Sequence, residues 1–272
     1  MRTILKTDLF EFAYIPDWYG QLEALKEMAL PEAWAFRKSS RDVKNTDTPI
    51  LERYIHIIFR KQAIDYNTEQ DTRKADHHFH VENEIACFHT GLYTRRYKGI
   101  YAFFDRNHRK ESMLDWYFRG FCDELSPRLK YIQPLPQKPS YYMAQNGASF
   151  NPEWSIRINV EHILGDEENV ERLPKKIQRA KNLPLLLETA VELARRNAVI
   201  QPGMVVPQGY QGRIQYLLPI CLTDMKNPDL AMTLTIRDGY YLANTCLTLE
   251  MAYLNARVIS RPIAPWLTKL VK

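Results

Sequence analysis

Histidines and carboxylates crowd into residues 76–84, where Asp76, His77, His78, His80, Glu82 and Glu84 stand close together. Imidazole and carboxylate groups are ligands for divalent metals, and on an extended segment His78 and His80 would project from the same face. A metal centre also needs a ligand from elsewhere and outer partners to fix its rings, and spacing supplies neither. A polar strand end guarded by charges is therefore the favoured account, and no metal or other cofactor is expected. Residues 88–101 are different in kind. Tyr93, Arg95, Arg96, Tyr97, Lys98 and Tyr101 interleave rings and cations beside Gly91 and Gly99. Cations neutralise phosphates while flat rings stack bases, each base contributing about 1–3 kcal/mol. This is the best nucleic-acid patch in the chain, weighed evenly against a hairpin turn whose outer residues are charged for solubility.

His162 follows the alternating run 154–160 and precedes a polar turn, which places it at a strand end. An imidazole titrating near about pH 6.5 can act there as general acid or base, with Asn159 or Arg172 holding an anion. A structural histidine bonded to turn backbone accounts for it equally well, and no triad is completed by spacing. Tyr253 and Arg257 stand one helical turn apart near Glu250, so the guanidinium either grips a phosphate or, the preferred reading, pairs with a carboxylate. Gln208 and Tyr210 belong to a turn at 206–212 whose glycines permit close backbone approach to a ligand. Neither a P-loop nor a GxGxxG follows a strand, so triphosphate and dinucleotide sites lack support.

The elements that must position these groups are readable in part. A helix is expected from about Trp18, with Leu22, Leu25 and Met28 on one face. Another follows Thr48 and Pro49, with Thr48 as N-cap and Ile50, Leu51, Tyr54, Ile57 and Ile58 in helical register. Residues 38–47 read as a polar surface loop. Residues 77–105 read as a hairpin or adjacent strands turning near Gly91, and 154–160 as a further strand. Pro127, Pro134, Pro136 and Pro139 exclude regular structure between them. A helix over 185–197 carries Leu186, Ala190, Leu193 and Ala194 on one side. Runs 214–222, 230–236 and 240–247 form a three-stranded antiparallel segment, with Asp238 and Gly239 as a type I′ turn between the last two. Thr248 then caps a helix through about Ile259, with Met251, Leu254 and Val258 on one face and Tyr253 and Arg257 on another. The class is α+β: an antiparallel or mixed sheet with packed helices. One domain over 1–272 is expected, and any internal boundary falls in the proline-rich segment 126–150.

Composition narrows the setting. Of 272 residues, 45% are hydrophobic, enough for a sizeable core, and the apolar run at 217–222 is far shorter than a bilayer span requires. Lys6 and Asp8 interrupt the N-terminus before any secretory-type apolar stretch, so a cytoplasmic, non-membrane protein is expected. Four dispersed cysteines without a CxxC pair read as reduced thiols. A net charge of +5 does not by itself announce a polyanion, so any such partner must be recognised by local clustering. Sixteen tyrosines are the compositional oddity, rings that can stack while their hydroxyls reach polar groups.

Several segments, in order, resemble a bacterial family known as domain of unknown function 3825. They are residues 88–92, 100–104 with Asn107, 159–163, 172–174, 207–210, 217–219, and 241–266 with Thr245, Cys246, Ala252, Tyr253, Asn255 and Arg257. The resemblance spans most of the chain from near Phe10 to Trp266. It implies a cytoplasmic bacterial protein whose relatives are sometimes joined to RNA-binding modules of the LOTUS or cold-shock kind, and it carries no activity. His89 stands where the family pattern has asparagine before Thr90, Gly91 and Leu92, which counts against His89 as a catalytic base.

The leading expectation is a domain that binds RNA or a nucleotide in RNA metabolism through residues 93–101 together with Asn159, Arg172, Gln208, Tyr210, Tyr253 and Arg257. The first alternative is an enzyme acting on a phosphate or ribose bond, a nuclease or nucleotide hydrolase, with His162 as acid/base and the arginines stabilising charge. The second is a protein-interaction module that forms a homo-oligomer through its tyrosine-rich surface.

Overall fold

The computed structural model describes residues 3–37, 47–82, 84–109, 112–140, 150–210 and 213–272. The chain divides into two compact units, Met1–Ala35 with Ser39–Ser140, and Phe36–Lys38 with Tyr141–Lys272. Both combine one five-stranded mixed sheet with packed helices, the α+β class expected from the alternation of hairpin and helical patterns. Of the polar loop expected at 38–47, all but Asp47 lies outside the described residues.

The first unit contains α1 (Leu9–Phe12), β1 (Ala13–Tyr14), α2 (Trp18–Met28), α3 (Pro49–Thr68), α4 (Thr72–Ala75), β2 (His80–Glu82), β3 (Ile85–Tyr93), β4 (Gly99–Arg106) and β5 (Trp116–Asp123). Its strands lie in the order β1-β5-β4-β3-β2, antiparallel except where β1 pairs parallel to β5. The long helix α3 buries Ile50, Leu51, Tyr54, Ile55, Ile58, Phe59 and Ala63, the stripe a 3.6-residue period demands, and packs on β3. Aromatic rings fill the space between: Phe12 and Phe59 lie 5.2 Å apart, Phe59 and Phe88 5.5 Å, Phe88 and Phe104 6.1 Å. Pro49 occupies the first turn as expected, but Thr48 makes no side-chain cap bond and is buried instead. The chain does not turn near Gly91. Gly91 lies inside β3 at φ +77°, where the pairing with β4 shifts register, and the reversal comes at residues 94–98.

After a 3₁₀ turn at Pro127–Leu129 the proline-rich stretch runs without strands or α-helix to Ser140. The second unit holds β6 (Ser155–Ile158), α5 (Val160–Gly165), α6 (Glu167–Arg172), α7 (Leu183–Ile200), β7 (Val206–Tyr210), β8 (Arg213–Ile220), β9 (Leu230–Arg237), β10 (Tyr240–Leu247), α8 (Leu249–Ile259) and α9 (Pro265–Thr268). Strand order is β6-β10-β9-β8-β7, with β6 parallel to β10 and every other pairing antiparallel. Leu187, Ala190, Val191, Ala194 and Ala198 of α7 pack on Leu218, Met232, Leu234 and Ala243 of the sheet. Leu193 is not on that face but is 41% exposed, because the buried stripe is phased on Leu187 rather than on Leu186.

The C-terminal strands fall where alternation puts them. Their 238–239 connection is not type I′, since only Gly239 takes a positive φ, at +77°, and type I′ needs both central residues there. Thr248 caps α8 through a 3.2 Å bond accepted from Met251 N–H. The buried side of α8 is Ala252, Tyr253, Ala256, Arg257 and Val258, so Tyr253 and Arg257 face inward, while Met251 and Leu254 of the expected apolar face are only half-buried.

Candidate functional site

The connection between β3 and β4 is held from below and open above. Thr94 N–H donates to the Lys98 carbonyl at 2.9 Å and Tyr97 N–H to the Thr94 carbonyl at 2.9 Å, while Thr94 Oγ1 accepts from the backbone of Arg96 and Lys98. Leu30 N–H donates to the Tyr93 carbonyl at 2.8 Å, and Thr94 bridges to Ala29, so the segment after α2 pins the base of the hairpin. Tyr97 adopts a left-handed φ of +58°. The result is a tip from which Arg95, Arg96 and Tyr97 all project into solvent, the Tyr97 side chain 75% exposed. Tyr93 and Lys98 sit half-buried beneath it, with Lys98 Nζ 3.0 Å from Glu124. The Lys98 bond and Gly99 N–H hold the Glu124 carboxyl below its usual range.

His89 lies below this tip on β3, buried, with its ring 4.8 Å from Tyr101 and 5.5 Å from Tyr93. Burial, reinforced by Lys138 and opposed by Glu124, pushes its pKa down to about 4. Its Nδ1 accepts the Gly91 N–H at 2.8 Å, so the proton of the neutral ring belongs on Nε2. An asparagine Oδ1 makes the same two-residue bond in an Asx turn, so asparagine at position 89 would keep an acceptor for Gly91 N–H. Burial likewise raises the Tyr101 hydroxyl and the Cys87 thiol, leaving both protonated.

His78 and His80 do not share the strand face on which the metal reading would place them, and β2 is a short polar strand at the sheet edge. His77 and His78 belong to helical turns after α4, and β2 begins only at His80. Among the described residues no group of three or more His, Cys, Asp or Glu side chains is placed to hold a metal ion; Asn83 lies outside those residues.

In the second unit, most of the predicted contacts are engaged by the fold. His162 is not at a strand end: β6 stops at Ile158, and Asn159 caps α5 by accepting His162 N–H at 3.1 Å, leaving the imidazole exposed on the helix. Arg172 pairs with Glu168 and donates to the Cys246 carbonyl at 3.1 Å. Beside it buried Asn169, which sequence inspection did not single out, accepts Cys246 N–H at 2.9 Å and donates to Asp166, fastening α6 to β10. Its one sequence signal is the Asp166–Asn169 spacing, a helix N-cap with its third residue.

Gln208 is buried in an amide chain across one face of the sheet. It accepts from Asn255 of α8 at 3.0 Å and donates to Gln215 Oε1 at 2.9 Å, and Gln215 in turn donates to Thr235 Oγ1 at 2.9 Å. Tyr210 is exposed at the end of β7; Tyr253 and Arg257 are buried in α8, which packs on β7. Gln211 and Gly212 of the predicted turn lie outside the described residues. Asn159, His162 and Arg172 therefore cluster on helices against β10, and Gln208, Tyr210, Tyr253 and Arg257 around β7, with β9 and β8 between. At about 4.8 Å per strand these are two locations, not one.

The family described as Domain of unknown function (DUF3825) matches residues 25–266, most of the chain and parts of both units. The chain belongs to this family. Membership accounts for the order of the segments that suggested it, and the family's description attaches no reaction to them. Neither curated proteins nor solved structures yield a match. Among the described residues no helix is long and apolar enough to cross a membrane.

Proposed function

We propose that this chain binds RNA or a nucleotide-like polyanion and acts in cytoplasmic RNA metabolism, with the β3–β4 tip as its first point of contact. The observation that supports the reading is the joint exposure of Arg95, Arg96 and Tyr97 on a turn whose backbone is tied down at its base. Two guanidinium forks can meet successive phosphates while the neighbouring ring offers a base its flat face, and the rigid base of the turn limits the ordering needed on binding. Arg172, Asn159 and Gln208 belong to the scaffold in this reading, since their side chains already bond the protein.

Titrating labelled single-stranded RNA and following fluorescence anisotropy at several salt concentrations tests the proposal. Salt-sensitive binding is expected, and Arg95→Ala with Arg96→Ala should weaken it by about tenfold or more. Binding that ignores salt, or that the double variant leaves unchanged, would remove the tip from consideration.

A further inference from the structure

The first unit has a second place where rings and guanidinium groups meet. β1 and β5 pair in register at Tyr14 and Tyr117, and Tyr117 is level with Asp105 of β4, Asp105 with Ile85 of β3, and Ile85 with Glu82 of β2. Directly paired residues share a face, so these five side chains form one row across the sheet, on the side away from Phe88 and Phe104. Leu129 and Ile132 cover the neighbouring rows by packing with Cys87, Tyr101, Phe103 and Cys122. The row itself stays half-exposed from Tyr14 to Ile85 and exposed at Glu82.

Its rings are not arranged like core residues. Those of Tyr14 and Tyr117 lie 5.6 Å apart, with the Arg109 guanidinium 4.5 Å from the first and that of Arg119 4.6 Å from the second. Arg128 donates to the Arg119 carbonyl at 3.1 Å and lies over Phe103. All three arginines are exposed. Asp105 pairs with Arg119 at 2.6 Å and Glu82 stands at the far edge, while among the described residues neither Arg109 nor Arg128 enters an ion pair. Cations thus outnumber carboxylates around two half-exposed rings, each with a guanidinium over it that a base can displace toward the backbone phosphates, the combination that suits a phosphate-bearing chain with free base faces.

We propose that this row is a stacking platform for single-stranded RNA, Tyr14 and Tyr117 each taking a base while Arg109, Arg119 and Arg128 meet the bases and backbone. The proposal rests on the RNA-binding reading above and specifies its ligand. A duplex keeps its base faces stacked and cannot offer them to the rings, so the single strand is favoured. Along β4, Gly99 at the hairpin and Asp105 in the row are about 20 Å apart at the usual strand rise, so a ligand touching both must be an oligonucleotide rather than a mononucleotide.

The full chain would be titrated with labelled oligouridines of about four and about twelve nucleotides, lengths that bracket common single-strand footprints. The longer strand is expected to bind about tenfold more tightly or better. Tyr14→Leu with Tyr117→Leu, which keeps apolar bulk but removes the ring faces, should lose about thirtyfold or more on that strand. Arg109→Gln with Arg119→Gln, surface changes that leave the rings in place, should also weaken it. Ultraviolet cross-linking should recover peptides containing Tyr14 or Tyr117. Equal binding by both double variants and the parent, cross-links confined to other peptides, or equal competition by duplex RNA would each overturn the platform. If Arg95 and Arg96 still matter in those cases, the hairpin reading survives; if the parent binds no RNA at all, both fall.

Discussion

His89 is neutral because its burial leaves no room for a hydrated cation, and that has a pH signature. The unfolded imidazole titrates near 6.5 and the folded one near 4, so between those values the unfolded chain binds more protons. Stability from this group is fully present above the higher value and is lost as pH falls toward the lower. Between about pH 7 and about pH 4.5 the loss is about 2–3 kcal/mol. His56, His78 and His80 are also shifted down by burial and act in the same direction. His89→Asn keeps an acceptor for Gly91 N–H and removes the titration, so it should flatten the acid limb of a denaturation curve; an unchanged limb would contradict this account.

Gly99 has a related constraint, since a Cβ there would come within 2.7 Å of His89 Nε2 on a ring already tied to Gly91. Gly99→Ala is expected to destabilise by about 1–3 kcal/mol in a denaturant titration. None of this could be read from residue types alone. His89 looked like one member of a basic, aromatic run, whereas its burial depends on strand pairing with Tyr101, twelve positions along the chain.

At the scale of elements, sequence periodicity located far more than it oriented. Strong β-formers put β8, β9 and β10 where expected, with a two-residue turn between the last two, and Thr48–Pro49 marked the start of α3. The faces of α7 and α8 were misphased because both helices carry apolar residues around much of their circumference, and the sheet selects the stripe. The two parallel pairings, β1 with β5 and β6 with β10, join segments far apart in sequence and leave no local signal. Tyr14 and Tyr117 meet through the first of them, which is why no motif pointed to the pair. The α6–β10 attachment gives a direct test of how an element is held. Asn169→Ala strips the buried Cys246 N–H of its acceptor and should cost about 1–3 kcal/mol in thermal or chemical unfolding, while a loss near zero would mean that another acceptor replaces it.

For the whole molecule, a charge of +5 spread over 272 residues is too small to drive tight polyanion binding without local concentration. If RNA contacts are localised as proposed, removing Arg95 and Arg96 should flatten the dependence of log affinity on log salt by about 1.4, from about 0.7 per phosphate contact on a single strand. A parallel displacement of the line with unchanged slope would instead mean that the arginines act without touching phosphates.

The passage of Phe36 and Arg37 through the second unit has a consequence for synthesis. Phe36 bridges to Val271 and meets the Tyr253 ring edge-on, and Arg37 bonds the carbonyls of Leu270 and Val271. A ribosome adding roughly 5–20 residues per second makes those partners only about 10–50 seconds after Phe36. Throughout that interval an aromatic side chain destined for the interior waits for partners made more than two hundred residues later, at Tyr253 and Val271.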